Sequence, residues 1–101
     1  MYQYVYRGYR LLPDSAGTDF VFEATRDRRA FLPITVRLLE TAVAECARRA
    51  GREIASNERY AIAKMTLFAA FDEYSDSAQL STPLTPDARI IEEHLQALGR
   101  I

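Results

Sequence analysis

Tyr2, Tyr4 and Tyr6 alternate with Gln3, Val5 and Arg7, the two-residue period of a strand that keeps its aromatic side chains on one face. Gly8 interrupts the alternation. A bulge there shifts the phase so that Tyr9 and Leu11 rejoin the tyrosine face, and the strand runs from Tyr2 to about Leu12. Pro13-Asp14-Ser15-Ala16-Gly17 is turn chemistry: Pro presets φ, Asp bonds its own backbone and Gly permits φ > 0. Thr18 to Thr25 then reads as the second strand of a hairpin, with Phe20, Phe22 and Ala24 on one face. After the charged turn Arg26-Asp27-Arg28-Arg29, Ala30 to Ile34 is a short apolar piece. Pro33 cannot donate to a ladder, so this piece is expected as a third, edge strand.

From Thr35 the period becomes helical. Val36, Leu39, Val43, Cys46 or Ala47 and Ala50 recur on one side, which predicts a helix over 35–50 with Thr35 as N-cap and Gly51 as its left-handed terminator. A second helix starts at a Ser56 or Asn57 cap and is expected to extend to about residue 79. Its apolar residues do not fit one stripe: Tyr60, Leu67, Phe71 and Tyr74 line one side, Ile62, Met65 and Ala69 nearly the opposite one. Such a helix must be covered twice, by the chain itself or by a second molecule. Thr85 as N-cap and Pro86 at the first helical position announce a last helix over 85–98, with Ile90, Ile91, Leu95 and Leu98 as its apolar side.

The fold class this predicts is α+β: a small antiparallel meander of two or three strands, then three helices (β-β-β-α-α-α), the second helix central. Phe20, Phe22, Phe31, Leu39, Val43, Ile62, Phe68 and Ile91 are the expected core. At 101 residues, with no break in composition, the chain 1–101 is expected to form one domain. The hydrophobic content of 49% argues against disorder, and no apolar run approaches the roughly 18 residues of a membrane span. The start Met1-Tyr2-Gln3-Tyr4-Val5-Tyr6-Arg7 lacks secretory signal character, and the lone Cys46 suits a reducing compartment, so a cytoplasmic location is expected. Lys64 is the only lysine among 13 basic residues, an arginine bias that fits a GC-rich, bacterial coding sequence.

The net charge of −1 is unevenly spread: residues 1–52 carry nine Arg against six acids, and the remainder four basic residues against eight acids. No catalytic signature is present. Cys46 and His94 lie in separate helical patterns and nothing in their spacing joins them, one Cys with one His cannot assemble a zinc set, and the four glycines are too scattered for a phosphate loop. His94, near a helix C-terminus where its cation would be favoured, reads as a surface or boundary residue. Asp72, Glu73 and Asp76 gather carboxylates on one segment without further ligands. No catalytic, cofactor or metal residue is therefore assigned. The reading that follows is a non-enzymatic protein acting through protein–protein association, as a homodimer through the central helix or with another protein. Its interface would use Tyr60, Lys64, Leu67, Phe71 and Tyr74. The alternative is a nucleic-acid contact in which the tyrosine row stacks bases while Arg7, Arg10, Arg26, Arg28 and Arg29 meet phosphates.

Overall fold

β1 (Gln3–Leu11), β2 (Gly17–Thr25) and β3 (Leu32–Leu39) form an antiparallel meander in the order β1-β2-β3, followed by α1 (Glu40–Ala50), α2 (Ser56–Glu73) and α3 (Ala88–Ala97). This is the α+β arrangement that the alternation and the later helical periods predict. It is seen in a computed structural model whose described residues are 2–73 and 80–99; the expected extension of α2 beyond Glu73, with Tyr74 and Asp76, lies outside them. No helix among the described residues is long and apolar enough to cross a membrane.

The hairpin follows from local chemistry. The register slips between Tyr6 and Gly8, where Gly8 takes φ 118°, and beyond it Tyr9 stands opposite Phe20 and Leu11 opposite Thr18. A side chain would resist that φ, so the glycine is what returns Tyr9 and Leu11 to the tyrosine face. Pro13–Ser15 make a short 3-10 turn, closed by Leu12 N–H donating to the Gly17 carbonyl at 2.9 Å. The turn between β2 and β3 is organised by Asp27, whose Oδ1 accepts from the backbone N–H groups of Arg29 (2.9 Å) and Ala30 (3.1 Å). Those two bonds hold its carboxyl below the usual carboxylate range.

β3 is longer than its sequence suggests. Ile34, Val36 and Leu38 alternate inward, fully buried or nearly so, and the strand passes into α1 with no residue between Leu39 and Glu40. Thr35 is therefore mid-strand and not an N-cap; the extended Leu39 precedes the helix without a side-chain cap. The Glu40 N–H is met instead by the Ala16 carbonyl at 2.8 Å, which ties the start of α1 to the first turn. α1 ends as expected, at Gly51 with φ 72°. Leu84 pairs in parallel with β3, donating to the Thr35 carbonyl (2.9 Å) and accepting from Arg37 N–H (2.8 Å).

α2 begins at Ser56 itself, and Glu58 reaches back to the Ala55 N–H at 2.9 Å, the acidic half of a capping box. Arg52 grips the same buried carboxylate with two bonds of 2.9 and 2.8 Å. α3 starts later than 85: Asp87 is the cap, accepting from Ile90 N–H at 2.9 Å, because its carboxylate is placed three residues ahead of the first unsatisfied donors, whereas Thr85 is too early. The core lies between the helices and one face of the sheet, around Phe20, Phe22, Val43, Ile62, Leu67 and Ile91. Three expected core residues fall short. Phe31 is exposed in the loop before β3, Phe68 is 39% exposed, and Leu39 is half-buried at the strand-to-helix junction.

Candidate functional site

Along β1 the side chains of Tyr2, Tyr4 and Tyr6 turn toward the helices, and α2 runs antiparallel to them. Tyr2 stacks on Phe71 with ring centroids 4.3 Å apart and an interplanar angle of 14°. Tyr4 meets Phe68 edge-on at 5.3 Å, and Tyr6 meets Tyr60 at 4.7 Å. Offset-stacked and edge-to-face pairs at these separations are favourable beyond the area they bury. None of the six rings is fully buried. Arg26 closes one end over the Tyr2 ring at 4.6 Å, and the Lys64 ammonium lies 5.4 Å from the Tyr60 centroid.

This aromatic seam follows the edge of the sheet. β1 pairs with β2 on one side only, and no strand among the described residues pairs with its other side. An unpaired edge carries a row of backbone donors and acceptors that another chain can complete. β3 differs, since Leu84 already occupies part of its outer side. On the face of β1 away from the helices, Val5 is 45% exposed between Gln3 and Arg7.

The arginines of the strands lie on that same outer face, and they are engaged. Arg7 Nε donates to Glu23 at 2.7 Å. Arg37 forks onto the buried Asp19 with bonds of 2.8 and 3.0 Å, and Arg10 approaches the same carboxylate at 3.9 Å. Arg28 donates to Gln3 at 3.0 Å. The structure thus separates Tyr2, Tyr4 and Tyr6 from Arg7 and Arg10 by placing them on opposite faces of the sheet, so rings and guanidinium groups do not form the shared platform that base stacking with phosphate contact needs. Arg26, Arg28 and Arg29 lie in the exposed turn after β2, where Arg26 alone of them covers a ring of the row, that of Tyr2.

Of the predicted interface, Leu67 is fully buried. It belongs to the protein's own core, and so it cannot meet a partner. Tyr60 and Phe71 are half-buried against β1, Lys64 stands beside them, and Tyr74 is outside the described residues. The correction has a geometric cause. The buried residues of α2 spread from Ile62 through Ala63 and Ala70 to Leu67, a single wide arc that the sheet and the other helices cover. On the flank beyond Ile62, Met65 and Ala69 remain partly or wholly exposed. What stays available is the rim of that arc, Tyr60, Lys64, Phe68 and Phe71, together with the edge of β1. Sequence reasoning missed Val5 as a surface candidate, because alternation reveals the faces of a strand and not which strand ends a sheet.

At the far end of β1 the sheet outruns the helices. Tyr9 and Leu11, 63% and 75% exposed, wall a groove of about 850 Å³ floored by Phe20 and Ile54 and flanked by Tyr6 and Tyr60. Burial, followed by the neighbouring Tyr60 and Tyr9, pushes the Tyr6 phenol above its usual pKa. Neither Cys46 nor His94 has the surroundings of a nucleophile or base. Cys46 is buried and its thiol pKa is raised by desolvation; a thiolate is disfavoured there. Burial lowers the pKa of His94, whose Nε2 is buried without a hydrogen-bond partner among the described residues. The cation expected at the end of α3 is thus disfavoured, because desolvation outweighs the attraction of the neighbouring Glu93 carboxylate. Among the described residues no group of His, Cys, Asp and Glu could hold a metal ion. No family model matches the chain, and no curated protein or solved structure matches it either.

Proposed function

We propose that the protein is a non-enzymatic association module that pairs with a second copy of itself along the open side of β1 and the adjoining flank of α2. One observation carries this reading: partly exposed aromatic rings of the β1 segment and α2 run beside a sheet edge that no strand among the described residues pairs with. A small protein gains stability by covering such a seam, since full burial of one large apolar side chain contributes roughly 1.5–3 kcal/mol. The unpaired backbone of β1 supplies hydrogen bonds that fix direction.

The test is the mass in solution by light scattering across protein concentrations. The expected value is twice the 11.5 kDa of the chain. Phe68→Glu places a charge on the exposed flank of α2 and is expected to return the protein to the single-chain mass with its helical circular dichroism unchanged. A parent protein that stays at the single-chain mass at every concentration overturns the reading.

A further inference from the structure

The groove where the sheet outruns the helices is built from rings set at angles to one another. Tyr6 and Tyr60 have centroids 4.7 Å apart and planes inclined by 57°, and Phe20 and Tyr60 have centroids 6.4 Å apart and planes inclined by 48°. Tyr9 stands opposite Phe20 in the ladder and adds an exposed ring at the mouth. A tilted pair, unlike a stacked one, leaves ring faces uncovered, and each face carries the negative part of the aromatic quadrupole.

Two charged side chains line the same groove, Glu53 and Arg59. Arg59 is committed. Its terminal nitrogens donate to the Glu40 carboxylate at 3.0 and 3.3 Å, and its Nε to the Ile54 carbonyl at 3.2 Å. Glu53 is exposed; its backbone carbonyl accepts from Arg52, but its carboxylate enters no hydrogen bond or ion pair among the described residues. The Lys64 ammonium, which does not line the groove, lies 5.4 Å from the Tyr60 centroid, so one ring of the set takes a cation within the chain itself.

Guests of different charge are separated by this lining. An anion would meet a free carboxylate and negative ring faces. A neutral apolar guest would cover Glu53 without replacing the water it displaces. An organic cation answers both features, the rings through cation–π attraction and Glu53 through its charge. A quaternary ammonium has no N–H groups to leave unpaired, so it loses least on entering a site walled by rings. We infer that this groove of about 850 Å³ binds a small free organic cation of the quaternary ammonium class, held by the rings of Tyr6, Tyr9 and Tyr60 with Glu53 as its counter-charge. Its volume is in the range of small-molecule sites. The site goes beyond the association reading and does not rest on it.

Choline and its uncharged isostere, with carbon in place of nitrogen, separate charge from shape. In a nuclear magnetic resonance titration with the protein, the choline methyl signal is expected to move upfield and saturate, since ring currents shield groups held over aromatic faces. The isostere is expected to bind at least about five-fold more weakly, the equivalent of one exposed cation–π contact. Tyr9→Leu keeps an apolar wall and removes a ring; Glu53→Gln keeps the shape and removes the charge. Both positions are exposed, so the circular dichroism spectrum is retained, and each change is expected to weaken choline binding about five-fold. Phe68→Glu, on the association flank and outside the groove, is expected to leave choline binding unchanged whatever it does to the mass. Phosphatidylcholine vesicles display the same headgroup and are expected not to retain the protein on flotation. Equal binding of choline and isostere, no saturable shift, binding that neither variant weakens, or retention by the vesicles overturns the site and leaves association standing. A parent that binds choline as a single chain at all concentrations overturns association alone.

Discussion

A β-carbon added to Gly17 would lie 2.3 Å from the Leu38 carbonyl oxygen and 3.0 Å from the Leu39 Cα. Both are backbone atoms of a paired strand and neither can swing aside. Gly17→Ala is therefore expected to destabilise the protein by about 3 kcal/mol, the upper range for overpacking, read as a lower midpoint in urea. His94 gives a pH signature. Burial depresses its folded pKa below the usual 6.5, so below that pH the unfolded chain takes up the proton that the folded one resists, and stability declines as pH falls. His94→Leu removes the titration, and its stability is expected to change less than that of the parent between about pH 7 and about pH 5. At this scale the sequence is informative wherever one residue has one use. Gly8 announces its bulge and Gly51 its helix end. It is silent where packing decides, as at Phe31 and Phe68, whose hydrophobicity says nothing of their exposure.

At the scale of elements, α2 separates its two roles by angle around the helix. Leu67→Ala is expected to cost about 2–5 kcal/mol, as for other fully buried leucines, and Leu67→Asp to prevent folding. Phe68→Glu, one residue further round, loses the edge-on contact with Tyr4 and is expected to lower the melting temperature less than either change at Leu67; thermal denaturation compares the three. The boundary between β3 and α1 was the least legible feature of the chain. Val36, Leu39 and Val43 satisfy a helical period while Ile34, Val36 and Leu38 satisfy a strand period. The tie is broken by the ladder that β2 offers from Leu32 to Leu39, a partner that local periodicity cannot see. The β-branched run Ile34-Thr35-Val36 was the available clue. The candidate site was legible in part for the same reason. Tyr60 and Phe71 could be named from α2 alone, but the strand edge beside them exists only once the strand order is known.

For the whole molecule, the layering decides where apolar surface is left over. Three helices cover one face of a three-stranded sheet, the charged side chains of the other face are tied to one another, and the uncommitted apolar surface lies along one side and at one end. The union of β3 with α1 has a further consequence, for how the chain can change length. Because no residue separates Leu39 from Glu40, the pleat of the strand sets the rotational phase of the helix. One inserted residue would turn α1 by about 100° and carry Val43 and Cys46 off the core. Descendants of this sequence can lengthen at the Pro13–Ser15 turn or between α1 and α2, whereas at this junction a gain or loss of even one codon would be eliminated.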